Sequence, residues 1–163
     1  MKNSVRNLAI LLSLSLAAAS CTQLSHKESV SGQGSDSGVV VISDKNKDKE
    51  CSMSPIEGFS WTYGLKAGSP CTSLKNDDAY YFRIDGVPSG VLITFYDEPY
   101  CSGTGNFVFT VRTTQSPTTT DTIRLSSAHG RPTGSMLAAG LRLESTEGSG
   151  QVDGKLSCVR IEY

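Results

Sequence analysis

The sequence has little of what marks the common enzyme and nucleic-acid-binding classes. It contains only two histidines among 163 residues, and its 15 basic and 16 acidic residues nearly cancel. No cluster of Lys and Arg stands out, so we expect no nucleic-acid partner. There is no G-x-S-x-G motif, and no pair of Cys or His residues has the short spacing of a zinc site. We therefore predict no catalytic residue, no metal ligand and no cofactor.

Aromatic residues are missing from the N-terminal third of the chain, and all of them lie between Phe59 and Tyr163. The preceding stretch is rich in Ser, Gly, Asp and Lys, and such a segment buries too little apolar surface to offset the cost of ordering it. We predict a flexible tether over 21–50. The apolar run Val39–Ile42 within it is interpreted as an isolated patch, with a strand added to a neighbouring sheet as the alternative.

Long apolar runs are also scarce, and the longest stands at the N-terminus. Lys2 and Arg6 precede the apolar run Leu8–Leu16, and small residues then lead to Cys21. This three-part layout is typical of a secretory signal peptide, and the run is too short to span a bilayer. We therefore expect the remainder of the chain to be exported.

The letters "AASC" that end at Cys21 resemble the lipobox of bacterial lipoproteins, with Ala18 where that family usually has Leu. The resemblance implies that the signal peptide, residues 1–20, is removed and that Cys21 becomes the lipidated (palmitate-bearing) first residue. Several acyl chains at about 0.8 kcal/mol per buried CH2 would hold the protein on a bilayer. Thr22, in place of Asp after the cysteine, implies the outer membrane of a bacterial cell envelope.

The other four cysteines are Cys51, Cys71, Cys101 and Cys158. An even number in an oxidising compartment predicts two disulfides. Three pairings are possible, and the sequence alone does not choose between them. The pairing Cys51–Cys71 with Cys101–Cys158 is favoured, because the first would close the entrance of the domain and the second would tie a loop to the last strand. Each would contribute about 2–4 kcal/mol.

Apolar and polar residues alternate in short segments separated by clusters of Gly, Pro, Ser and Thr. In "AYYFRID", for example, Tyr80, Phe82 and Ile84 share one face. The pattern predicts an all-β fold over 51–163, a small antiparallel β-sandwich or Greek-key domain. Further strands are expected near Phe59 and within the segments 91–97, 106–113, 121–126, 140–145 and 158–163, with a possible helical turn from Ser135.

The segment "ITFYDEPYCSGTGNFVF", Ile93–Phe109, resembles the first hairpin of a β/γ-crystallin Greek-key motif. Tyr96 and Asp97 match the family's aromatic–acid pair and Gly103 its later glycine, whereas Cys101 replaces an aromatic residue. The resemblance implies a Greek-key sandwich and does not extend to the family's calcium-binding residues.

Titratable residues that could support chemistry stand in predicted turns. Asp97 and Glu98 end a strand, and His129 lies in a loop after Ser126 and Ser127. Acids and histidines in turns are usually solvated, so the enzyme alternative, a small envelope hydrolase, requires Asp97, Glu98 and His129 to converge in one pocket.

The predicted function is a membrane-anchored, non-catalytic lipoprotein whose β-domain binds a protein or glycan partner. Binding residues are often carried on loops of a rigid sheet, which favours the loops 97–105 and 113–121; a variant of this function is inhibition of a foreign protease or lysozyme. Tyr81 and Tyr96 could stack on sugars if they are exposed, although a tyrosine on a sheet is more often half-buried packing. The candidate contact residues are Asp97, Glu98, Tyr100, Thr118 and Thr119.

Overall fold

A computed structural model describes residues 37–65, 71, 73–103 and 105–163. The predicted signal peptide, Cys21 and the tether up to residue 36 lie outside these ranges. Across the described residues, no helix has the length and apolarity needed to cross a membrane. The elements are β1 (Val39–Asp44), β2 (Glu50–Met53), β3 (Ser60–Gly64), β4 (Ala79–Asp85), β5 (Leu92–Tyr96), β6 (Phe107–Thr113), β7 (Ile123–Arg124), α1 (Leu125–His129), β8 (Met136–Ala138), β9 (Leu141–Gly148) and β10 (Cys158–Glu162).

The strands form two antiparallel sheets, as the alternating sequence pattern predicts. The four-stranded sheet has the order β2-β1-β4-β7, and the six-stranded sheet has the order β3-β10-β5-β6-β9-β8. Among the described strands, the chain therefore changes sheet five times: between β2 and β3, β3 and β4, β4 and β5, β6 and β7, and β7 and β8. The predicted all-β, sandwich-like class is confirmed.

Aromatic rings fill the space between the sheets. The ring centroid of Phe95 lies 4.8 Å from that of Phe82 on the other sheet and 4.6 Å from that of Phe109 on the same sheet. All three side chains are fully buried, and each removes enough apolar surface from water to contribute about 1.5–3 kcal/mol.

The first strand corrects the predicted tether. Val39–Asp44 pairs with β2 on one side and β4 on the other, and Val40 and Ile42 are fully buried. The interpretation of the run as an isolated patch is therefore wrong, and the folded part begins before residue 51. Pairing on both sides supplies partners for the backbone and a core for the apolar face, which the polar flanks did not indicate.

The segment after β6 differs in detail from the sequence pattern. The strand at Ile123 ends after two residues, because Leu125 begins helix α1. The carboxylate of Asp153 supports this helix by accepting hydrogen bonds from the Ser126 backbone N–H (3.0 Å) and from the Arg124 side chain (2.6 Å). The expected helical turn from Ser135 is instead strand β8, which pairs with β9.

Candidate functional site

The two disulfides join Cys51 to Cys71 and Cys101 to Cys158, which confirms the favoured pairing. The first lies beside β2, at one edge of the four-stranded sheet. The second joins the β5–β6 loop (97–106, of which 97–103 and 105–106 are described) to the first residue of β10.

Side-chain carboxylates brace the β5–β6 loop from within. Asp97 accepts a hydrogen bond from the backbone N–H of Asn106 at 3.0 Å, which closes the base of the loop. Glu98 accepts from the backbone N–H of Tyr100 at 2.8 Å and from the Ser102 hydroxyl at 3.3 Å. Both acids, predicted as contact residues, are half-buried, and their role in the described structure is to fix the shape of the loop.

A small apolar cluster fixes the same loop to the outer face of the six-stranded sheet. Tyr96 and the Cys101–Cys158 disulfide form it, with Val108 packed against them. The guanidinium of Arg160 lies over the Tyr96 ring, 5.3 Å from its centroid, and donates a hydrogen bond to the Cys101 carbonyl. Tyr96 is 8% exposed, which agrees with the packing alternative and leaves little of its ring for a sugar to contact. Sequence alternation places Tyr96 on the outer face of the sheet, and the β5–β6 loop buries it there by folding back over that face.

Tyr100 stands out from this loop with 75% of its surface exposed. The next residue, Cys101, has a φ of 52°, in the left-handed region that residues other than glycine seldom adopt. Such a conformation costs of order 1–3 kcal/mol and persists only where the surroundings impose it. The disulfide and the Arg160 hydrogen bond supply that constraint. The arrangement holds an aromatic side chain in water on a rigid backbone.

The β6–β7 segment, the second predicted contact loop, is built differently. Thr118 is fully buried, and its hydroxyl donates to the carbonyl of Gln115 at 2.7 Å. Thr119 is exposed, and its hydroxyl accepts a hydrogen bond from the backbone N–H of Gly86 at 3.0 Å. Thr118 is therefore corrected from a contact residue to an interior tie between this segment and its neighbours.

The three residues on which a hydrolase would depend make their hydrogen bonds in different places. Asp97 and Glu98 bond within their own loop, whereas a ring nitrogen of His129 lies 3.1 Å from the carbonyl of Glu147 on β9. The His129 ring also packs edge-on against Phe107, with centroids 5.9 Å apart. Among the described residues, no group of three or more His, Cys, Asp or Glu side chains is placed to hold a metal.

A second exposed feature, which the sequence analysis did not single out, lies along β3. We call it the aromatic edge: Ile56, Phe59, Trp61 and Tyr163, which are 43%, 60%, 48% and 36% exposed. The available signal was the segment "GFSWTYGL", which alternates aromatic with small residues and contains no charge. Beside it, Tyr63 is half-buried and donates to the Ser54 carbonyl at 3.1 Å, and burial raises the pKa of its phenol.

Two arginines share one carboxylate at the opposite side of the six-stranded sheet. Glu144 accepts hydrogen bonds from Arg142 and Arg112, each with a nitrogen 3.0 Å from the same oxygen. The bond from Arg142 is the main reason that the pKa of Glu144 lies below its ordinary value, and Arg112 adds to the effect. The group is a surface ion-pair network, since the Glu144 side chain is 26% exposed.

No protein-family model matches the chain, and neither a curated protein nor a solved structure resembles it significantly.

Proposed function

We propose that this protein is a lipid-anchored, non-catalytic lipoprotein of the bacterial envelope that binds a protein or glycan partner through its β5–β6 loop. The observation that carries the proposal is the exposed Tyr100 on a loop held by the Cys101–Cys158 disulfide, two carboxylate caps and Arg160.

The bracing supports binding because it lowers the entropy lost on association. A loop already fixed in one conformation gives up little freedom when it meets a partner. Tyrosine adds a large contact area with few rotatable bonds, and its hydroxyl supplies a polar group for orientation. A braced loop of this kind also suits the inhibitor variant, in which Tyr100 would enter the cleft of a foreign protease or lysozyme.

The sequence of the N-terminus supports the anchor. Cys21 would carry the lipid, and the residues between it and β1 would separate the domain from the bilayer. At roughly 5–6 Å times the square root of its length, such a segment reaches on the order of 20 Å. The domain would then stand just clear of the membrane surface.

Metabolic labelling with radiolabelled palmitate tests the anchor. The full-length protein should incorporate label in a bacterial host, and Cys21→Ala should incorporate none. Equal labelling of the two proteins would remove the lipoprotein assignment.

Affinity capture from envelope extracts tests the binding surface, with the full-length, detergent-solubilised protein as bait. Tyr100→Ala should lose the captured partner, because it removes the exposed ring and keeps the backbone N–H that donates to Glu98. Phe59→Ala is the matched control, since it removes an aromatic ring of similar exposure on the aromatic edge. Loss of capture with Phe59→Ala and not with Tyr100→Ala would place the partner elsewhere and contradict the proposal.

For the inhibitor variant, the same proteins are assayed against a lysozyme and a serine protease. Inhibition by wild type that Tyr100→Ala lacks would identify the variant, and the absence of inhibition would leave envelope partners as the assigned class.

A further inference from the structure

Strand β3 lies at the end of the six-stranded sheet and pairs only with β10 among the described residues. The carbonyl of Phe59 accepts from Tyr163 N–H at 3.2 Å, and Leu65 N–H donates to the Ser157 carbonyl at 2.9 Å. In an antiparallel ladder, every second residue of a strand hydrogen-bonds to the same neighbouring strand. Trp61 and Tyr63 therefore also point their backbone groups towards β10. The backbone groups of Ser60, Thr62 and Gly64 therefore point away from the sheet.

The two faces of β3 carry different side chains. Trp61 lies directly opposite Ile161, which is buried, so Trp61 stands on the core-facing side of the sheet. Alternation puts the rings at 59, 61 and 63 together on that side, and the small residues Ser60, Thr62 and Gly64 on the outer side.

The described residues from Gly58 to Leu65 bring no charge to this edge. Natural proteins usually block an exposed edge strand with a charged residue, a proline or a covering segment. The sequence from Gly58 to Leu65 contains neither a charged residue nor a proline. An edge without charge does not repel a copy of itself.

We propose that β3 is a homodimer interface, in which two copies pair antiparallel about a two-fold axis at Thr62 and join their six-stranded sheets into one sheet of twelve strands. A second copy fits this edge because Ser60, Thr62 and Gly64, whose backbone groups point outward, are all small and uncharged. Ser60 of each copy lies opposite Gly64 of the other, and Thr62 lies opposite itself.

This register provides partners for all the exposed groups of the edge at once. Up to six backbone hydrogen bonds form, because Ser60, Thr62 and Gly64 of each copy offer both a donor and an acceptor. On the core-facing side, Trp61 of one copy lies opposite Tyr63 of the other, and aromatic cross-strand pairs stabilise sheets. On the outer side, only the small residues meet. Closed two-fold pairs of this kind are the commonest symmetric assemblies.

The expected interface is small. Phe59, Trp61 and Tyr163 together expose on the order of 300 Å² per copy, if a covered aromatic ring buries roughly 150–250 Å². Doubling this area and adding the strand backbones stays near the lower limit of stable interfaces, about 1,200 Å² in total. We therefore expect a dimer that dissociates on dilution and that is favoured where copies are concentrated, as on a membrane.

Cysteine cross-linking tests the register in cells that produce the full-length protein. In the dimer, the Cα atoms of the two Thr62 residues lie about 5.5 Å apart, within the range that a disulfide spans. Thr62→Cys should give a dimer band on a non-reducing gel. Ser52→Cys is the matched control, an exposed hydroxyl residue on the edge strand β2, and should stay monomeric. No dimer with Thr62→Cys, an equal yield with Ser52→Cys, or a cross-link to a different polypeptide would each overturn the proposal.

Opposite charges at position 62 test the two-fold axis with two differently tagged full-length chains produced together. Two Thr62→Lys chains should not co-purify, and neither should two Thr62→Glu chains, because each pair places like charges directly opposite each other. A Thr62→Lys chain should co-purify with a Thr62→Glu chain, as wild type does with wild type. Co-purification of two Thr62→Lys chains, or failure of the mixed pair, would contradict pairing about Thr62.

Dimerisation through β3 does not depend on partner binding through the β5–β6 loop. Tyr100→Ala should dimerise as wild type does, because Tyr100 lies on the loop and not on β3.

Discussion

Strands β2 and β3 are both short edge strands of the same sandwich, yet their edges are finished in different ways. Edge strand β2 is covered: Cys51 is bonded to Cys71, and the Ser73 hydroxyl donates to the Glu50 carbonyl. By contrast, β3 carries no charge and presents exposed rings. A disulfide and a side-chain hydrogen bond therefore protect the edge of β2, whereas the described residues at the edge of β3 provide no such protection.

If the proposed dimer forms, this difference separates residues that stabilise the single copy from residues that contribute to association. A covered edge contributes to stability of the single copy, because its groups are already bonded. An open edge contributes little until something pairs with it, so substitutions there should change association more than folding. The following predictions test this division.

The largest expected effect contrasts a core ring with an edge ring. Phe95→Ala should lower the free energy of unfolding by about 3–5 kcal/mol, because Phe95 is fully buried between two other rings. Trp61→Ala should cost at most about 1–2 kcal/mol, since roughly half of its surface is already in water. Urea unfolding at low protein concentration measures both. An equal loss for the two variants would mean that the edge rings belong to the core.

Removal of the β2 cover should have the next largest effect. The double variant Cys51→Ala with Cys71→Ala should lose about 3 kcal/mol of stability, as expected for a closed loop of 20 residues. The comparison variant is Cys101→Ala with Cys158→Ala, which should lose about 1 kcal/mol more because its loop spans 57 residues. Thermal unfolding under oxidising conditions reads both values. Unchanged stability of the first variant would show that β2 needs no cover.

The smallest effect is a pH dependence far from either edge. Arg142 and Arg112 lower the pKa of Glu144 from its ordinary value of 4.5, so the charged network stabilises the folded state fully above about pH 4.5. That contribution is lost as the pH falls through the lower, folded-state pKa. Exposed pairs contribute up to about 1 kcal/mol. Glu144→Gln should therefore be slightly less stable than wild type at pH 7, and the difference in Tm should shrink as the pH is lowered below about 4.5.

If the difference in Tm between wild type and Glu144→Gln grew as the pH fell, it would contradict a stabilising role for the ionised Glu144 carboxylate. Glu144→Gln should also dimerise normally, because Glu144 lies on β9 at the far side of the six-stranded sheet.

The sequence was sufficient where the signal is local. Alternation identified strands such as β4 and β6, whose inward residues are Phe82, Ile84, Phe107 and Phe109, and the even cysteine count in the exported part predicted two disulfides. These features depend on neighbouring residues or on composition alone, so they could be read without coordinates.

The features that the sequence missed depend on distant residues. Strand β1 is defined by partners on both sides, and helix α1 is capped by Asp153, which is 27 residues beyond Ser126. Tyr96 is buried because a disulfide draws the β5–β6 loop over it. The open edge also depends on distant residues. Strand β3 stands at the end of the sheet because its one described partner is β10, which is far away in sequence.

Backbone amide hydrogen exchange, measured at low and at high protein concentration, tests the difference between the two edges most directly. The account predicts that Thr62 N–H exchanges rapidly in dilute protein and becomes protected as concentration rises, because β3 pairs only with β10 among the described residues and the proposed second copy would supply the missing acceptor. Trp61 and Tyr63, bonded to β10, should be protected at both concentrations, and Ser52 on β2 should not change with concentration. Protection of Thr62 that is the same at every concentration would contradict the claim that β3 is an open edge made for pairing.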